Sequence, residues 1–423
     1  MLGAVVRSRS GEPGRGPPLS CALVPPAQHG RLPGRAIATA AVAVAFALAA
    51  LGGCGLGDDS DTPPQLGAKG NDKSAREKLG FPASATKNTI RVGGGDATAD
   101  AAGVANAIYP ARSDRTRPNA VVLVDKDDWQ SGVTGGVLAA NPIQAPLLLT
   151  DGGDLPEATK ETIDRLDPRG SDLSKDAQVI RLGEDTPAPD GRKNAVIKGK
   201  DQYERAAAVD RFISSAKGKP SKNVIIASGE EAAYAMPAGA LAARSGDSVL
   251  LVPKDSVPPA TAKALREHEK PSIFILGPAN VISQKVEREL RKLGTVRRVA
   301  GAGPVANAVA FAKYERGSFG WGITVPGYNL TLANTDRPLD AAAAAALATN
   351  GVFAPLLLTD DPKRLPRPVE SYLRDIQPGF QGDPGQAVYN RVWILGDDEA
   401  VSVDEQALID ELTELVPVQV GSP

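Results

Sequence analysis

The chain has 423 residues, 42% hydrophobic, 23% charged and 4% aromatic, with a formal net charge of −2. That balance excludes a disordered chain, and the length favours roughly two to four domains over one core. Two cysteines (Cys21, Cys54) and two histidines (His29, His268) are too few for a Cys/His zinc site and leave little scope for a serine–histidine relay.

Residues 1–53 read as a leader. Ala36 to Leu51 is an uncharged, Ala-rich run of 16 residues behind Arg31 and Arg35. It is shorter than the ~20 residues that span a bilayer and ends in small residues, the pattern of a signal peptide. Leu51-Gly52-Gly53-Cys54 resembles a bacterial lipobox, which implies lipid attachment at Cys54 and a place on the outer face of the cell membrane, facing the wall. Thirty-five residues precede the apolar run, long for a basic leader, so the native start is expected downstream of Met1. Without the leader's net +4 the formal charge of −2 becomes −6, and nothing in it suggests nucleic acid. Residues 54–88 are polar and contain Pro63-Pro64, and they read as a tether with an r.m.s. span of roughly 30 Å.

The remainder is one unit written three times, over 89–190, 191–295 and 296–423. Ala145-Pro146-Leu147-Leu148-Leu149-Thr150-Asp151 recurs identically from Ala354 to Asp360, and Ser248-Val249-Leu250-Leu251-Val252-Pro253 is a weaker copy. Downstream of each lies a strand ending in Leu-Gly, at Leu182-Gly183, Leu276-Gly277 and Leu395-Gly396. Upstream, a short strand enters a Gly-containing turn at Gly94, Gly199 or Gly301 and then an Ala-rich helix. From those glycines to Leu147, Val249 and Leu356 the steps are 53, 50 and 55 residues. Continuous apolar strands separated by helices predict parallel sheets covered on both faces. The expected fold is α/β: three tandem, small, doubly wound (Rossmann-like) modules packed as a pseudo-threefold intrachain trimer, each with its leucine strand in the interior of its sheet.

The opening Gly199-Lys200-Asp201-Gln202-Tyr203-Glu204-Arg205-Ala206 and the later Leu-Leu and Ile-Leu-Gly strands resemble the bacterial cell-wall-binding repeat of the second type. The first copy keeps Asp96 and Ala101, and the third has Gly303 for the aspartate. Asp340 matches the family's second motif, where Ser131 and Ala233 stand in the other copies. The resemblance covers residues 89–416. It implies repeats in threes around a pseudo-threefold axis and binding of an anionic cell-wall polymer, with Leu147, Leu148, Leu149, Leu356, Leu357 and Leu358 implicated in contact. The same leucines also read as buried strand. Ligands of open α/β sheets sit outside the carboxyl ends of strands, which brings Thr150, Asp151, Lys254, Thr359 and Asp360 nearer. Lys198 and Lys200 flank the turn of the second copy and can join Lys254.

Gly93-Gly94-Gly95-Asp96 could cradle a phosphate but lacks the P-loop Lys-Ser/Thr, and a tight turn explains its glycines. Asp125-Lys126-Asp127-Asp128 after the Val121 to Val124 strand faintly resembles a phosphohydrolase loop, without the other elements of such a site. His268 lies among charges near a helix end and reads as exposed; Trp129 and Tyr328 fall in loops able to stack on sugars, and Trp393 in a strand core. The expected protein is therefore a non-enzymatic, lipid-anchored surface protein that binds envelope polymer or another envelope component without a cofactor. The alternatives are an envelope hydrolase using Asp125 and Asp127, or a solute-binding lipoprotein with a cleft between modules.

Overall fold

Short β-branched or leucine runs alternate with helices over residues 84–349 and 354–418, which the computed structural model describes. The leader, Cys54 and the tether up to residue 83 lie outside the described residues. The runs form three sheets, each built on four parallel strands. The first has the order Leu147–Thr150, Val121–Asp125, Val179–Leu182, Asn194–Ile197. The second repeats it as Ser248–Val252, Asn223–Ser228, Ser272–Leu276, Thr295–Val299. In the third, Leu356–Thr359, Asn329–Asn334, Arg391–Leu395 and Thr89–Val92 follow one another, with a two-residue antiparallel edge, Ser84–Ala85. Val121 to Val124 are buried without alternation, as strands covered by helices on both faces must be.

The leucine strands are not interior, which corrects the expectation from sequence. Each is the outermost strand of its sheet, yet its leucines are at most 4% exposed. A helix arriving from the neighbouring sheet covers the edge: Ala97–Ile108 lies on the Leu147 strand, Gln202–Ala216 on the Ser248 strand and Pro304–Lys313 on the Leu356 strand. Covering an edge in this way blocks further strand addition.

Sequence repeats and sheets are out of phase by one strand. The strand that opens each copy (Thr89–Val92, Asn194–Ile197 or Thr295–Val299) pairs with the sheet before it, while the helix directly after packs on the sheet that follows. Thr89–Val92 pairs with Arg391–Leu395, so the first copy's strand completes the last sheet. The three units are thus interlocked in a closed ring.

At its centre meet Trp129–Gly135 with its continuation Gly136–Ala139, Ala232–Ser245, and Pro338–Ala344 with Ala345–Ala348. Counted from the cap residues Asp128, Glu231 and Arg337, the eighth positions are Gly136, Gly239 and Ala345. A methyl group on Gly136 would stand 2.9 Å from the Gly239 carbonyl oxygen and 3.3 Å from Ala345 Cβ. Backbones this close admit only the smallest side chains, which explains the alanine-rich composition of these helices. The same register aligns Tyr234, rather than Ala233, with Ser131 and Asp340.

The three junctions differ in charge. Asp100, Arg205 and Asn307 each stand four residues after the caps Asp96, Asp201 and Gly303. Between third and first units, Arg337 meets Asp100 at 3.1 Å, Asp340 at 2.7 Å and Asp397 at 3.3 Å. Between first and second the signs are exchanged: Arg205 meets Asp128 and the Ser131 hydroxyl, both at 2.9 Å. At the third, Asn307 stands where the other two have Asp100 and Arg205, and its side-chain oxygen accepts from the Gly301 N–H at 3.1 Å. Burial raises Asp340 to about 6, against the pull of Arg337. Burial and the neighbouring Asp340 hold Asp100 well above the usual carboxylate range.

Candidate functional site

The leucines named from the resemblance are buried, and so are Thr150 and Thr359 at the carboxyl ends of their strands. The Thr150 hydroxyl donates to the Val124 carbonyl at 3.4 Å and that of Thr359 to the Asp361 carbonyl at 2.9 Å. Beyond them Asp151 and Asp360 are exposed, and Asp151 pairs with Lys126 at 2.8 Å. Lys254, Lys198 and Lys200 are exposed as well. The Lys254 N–H is held by the Glu230 carboxylate at 2.9 Å, and the Lys200 N–H donates to Glu204 at 3.1 Å.

Of the three lysines, Lys198 lines a cleft of about 300 Å³ in the second unit. Gln202–Ala216 and Pro259–Glu267 pack side by side and contribute Glu204, Arg211 and Lys263. Three cations face one carboxylate there, and Lys198 also pairs with Glu184, which is not among the lining residues. Such a surface attracts an anionic chain, most strongly at low salt. Arg211 and Lys263 are 52 residues apart, and only the packing of the two helices makes them neighbours. Lys200 and Lys254 do not line this cleft.

The acidic loop is committed to local structure. Asp125 accepts from the Asp127 N–H at 2.9 Å and the Gly152 N–H at 2.8 Å, and Asp128 caps its helix and pairs with Arg205. The glycine turn is explained by contact: a Cβ on Gly93 would stand 2.6 Å from the Gly396 carbonyl oxygen, and the Gly94 N–H is taken by Asp100 at 2.7 Å. His268 is not exposed. It is 6% exposed, with Nε2 at 2.8 Å from Asp210 Oδ1 and Nδ1 at 2.7 Å from the Ser221 carbonyl oxygen. Two acceptors at the two ring nitrogens favour the imidazolium. Burial opposes that charge, but Asp210 and Ser221 outweigh it and raise the pKa above the usual 6.5. Trp129 is half-buried against the core, Trp393 is buried in its strand, and Tyr328 is exposed.

Residues 196–287 match the family model for Cell wall binding domain 2 (CWB2). That segment contains every residue named in the basic cleft. The amidase enhancer of Bacillus subtilis (strain 168) is 24% identical over 208 residues, 49% of this chain and 28% of that protein. Among solved structures, Cwp8 from Clostridium difficile superposes with a TM-score of 0.60 at 20% identity, over 78% of this chain and 52% of that one. Cwp6 from the same organism gives 0.61 at 20% identity, over 77% of this chain and 48% of its own. The chain thus spans about half the length of these two structures and 28% of the curated relative. The likeness to the solved structures is one of fold: tandem α/β units with parallel four-stranded sheets.

Proposed function

We propose that this is a non-catalytic, extracytoplasmic protein that binds the cell envelope through an anionic wall polymer, with Cys54 lipidated as its membrane anchor. In this reading the three units act as one pseudo-threefold assembly. The observation that carries the reading is the basic cleft of Lys198, Arg211 and Lys263 within the segment that matches CWB2. The engagement of Asp125 by two backbone N–H groups speaks for a structural part for that loop.

Retention of the purified protein on isolated bacterial wall tests the reading. The wild type should be retained and released by salt. Lys198→Glu with Lys263→Glu should weaken retention about three- to thirtyfold, from a few tenths to one kcal/mol per surface charge. Full retention of the double variant, or none by the wild type, would defeat the proposal. Metal-dependent phosphate ester turnover lost in Asp125→Asn would favour a hydrolase. In cells, Cys54→Ser should release the protein from membranes or leave its leader uncleaved; normal processing with unchanged retention would remove the anchor from the reading.

A further inference from the structure

A cleft of about 710 Å³ opens at the carboxyl end of the third sheet, far along the chain from the CWB2 match. Five carboxylates and three cations line it, and one of those cations, Arg364, already faces Asp361 at 3.6 Å. Glu405 is only 2% exposed and is one of the residues that line the cleft. It stands in the first turn of Val403–Leu412, where the Ser402 cap receives its N–H at 3.1 Å. Among the described residues, neither carboxylate oxygen has a hydrogen-bond donor in good geometry. The Thr359 hydroxyl adjoins it, yet donates to the Asp361 carbonyl. Burial, joined by the charges of Asp361 and Asp360, pushes Glu405 to about 7, with Thr359 and Arg91 partly offsetting it.

The second unit shows that the fold does not need an acid here. Its equivalent helix, Gln284–Leu290, is capped by Ser283, and the third residue after that cap is the buried Val286. The strand position of Thr359 is held there by Val252. An apolar pair in one unit is thus a threonine and a carboxyl in the other. A buried carboxyl without a donor is destabilising, so its presence calls for a ligand that supplies one.

We infer that this cleft is a second ligand site, which takes the primary ammonium group of an amine-bearing envelope component, with Glu405 as its ion-pair partner and the Thr359 oxygen as a further acceptor. The excess of carboxylates disfavours an anion. Among the described residues no three His, Cys, Asp or Glu side chains converge as for a metal ion. A neutral hydroxyl would satisfy a hydrogen bond but leave the carboxylate's charge unmatched. The inference rests on the envelope reading only for the source of the amine.

Ethanolamine, charged throughout the range used, is the probe, with N-acetylethanolamine as its neutral control, followed by NMR on the whole purified protein. Ethanolamine should bind about tenfold more tightly at pH 8 than at pH 6, as Glu405 loses its proton. Glu405→Gln should weaken binding and abolish the pH dependence. Glu405→Val, copying Val286, should melt at a higher temperature than wild type and not bind. Equal binding of the acetylated control, undiminished binding by Glu405→Gln, or no binding by the wild type would each overturn the inference. Wall retention separates the two proposals: if it fails while ethanolamine still binds at Glu405, only the envelope reading falls.

Discussion

Replacing Arg337 by methionine leaves Asp100 and Asp340, both buried, without their shared cation. Breaking a buried ion pair from one side costs about 3–5 kcal/mol. Spread over the roughly 330 residues of the interlocked units, at about 2.1 cal/mol/K of unfolding entropy per residue, that corresponds to a melting temperature lower by about 4–7 °C. The other two junctions suggest the rescue: Arg337→Met with Asp100→Asn and Asp340→Ser places at positions 100 and 340 the uncharged residue types that Asn307 and Ser131 supply at those junctions, and should recover most of the loss. The pH dependence has a definite sign. Asp340 titrates near 6 when folded and near 3.9 when unfolded. Between those values the native state binds more protons, so stability from this group falls as pH rises and is greater at pH 5 than at pH 7. Without Arg337 the window extends to higher pH, because the attraction that lowers the folded pKa is gone. Scanning calorimetry from pH 4.5 to 8 on the three proteins decides the matter. A single variant melting within about 1 °C of wild type, or a triple variant no better than the single, would refute this account of the junction.

Two other expectations follow from buried contacts. The His268–Asp210 pair should stabilise fully below the usual histidine pKa of about 6.5 and lose its contribution as pH climbs through the raised folded value. Asp210→Asn should cost about 3 kcal/mol at pH 6 and flatten that part of the denaturation profile; an unchanged urea midpoint would count against the pair. Gly136→Val should destabilise by about 1–3 kcal/mol through overpacking against Gly239 and Ala345, whereas Gly153→Ala, with no atom within 4 Å of the added methyl, should stay within about 0.5 kcal/mol. Similar thermal shifts for the two would show that the helix contact is looser than described.

The alternation of apolar strands with helices was readable because doubly covered strands need no polar face, as Val121 to Val124 illustrate. What no local pattern carries is the identity of a strand's neighbour. Asn194–Ile197 opens the second copy in sequence and pairs with the first sheet in space, since hydrophobic runs state burial and not pairing. The edge position of Leu147–Thr150 was hidden for the same reason: the covering helix makes an edge strand as apolar as a central one. His268 looked exposed among charged neighbours because its partner, Asp210, lies 58 residues away. Lys198 of the second turn lines the basic cleft, but Arg211 and Lys263 carried no signal until two helices were set side by side. Glu405 has the sequence context of an ordinary acid in a helix's first turn. Aligning the caps Ser283 and Ser402 sets it against Val286, the one hint the sequence held.

The pairing of Thr89–Val92 with Arg391–Leu395 has a consequence for the order in which the molecule can be finished. Synthesis delivers the first of these strands some 300 residues before its neighbour. Closing a loop that long has an entropic cost of roughly 5 kcal/mol, because the term grows only with the logarithm of length. Throughout that interval the early strand has no sheet of its own to join, while the first sheet, built from segments between Val121 and Ile197, lacks nothing. The last unit therefore depends on the earliest strand. Trimming the chain through Val92 spares the sheet nearest the cut and removes a strand from the one most distant in sequence.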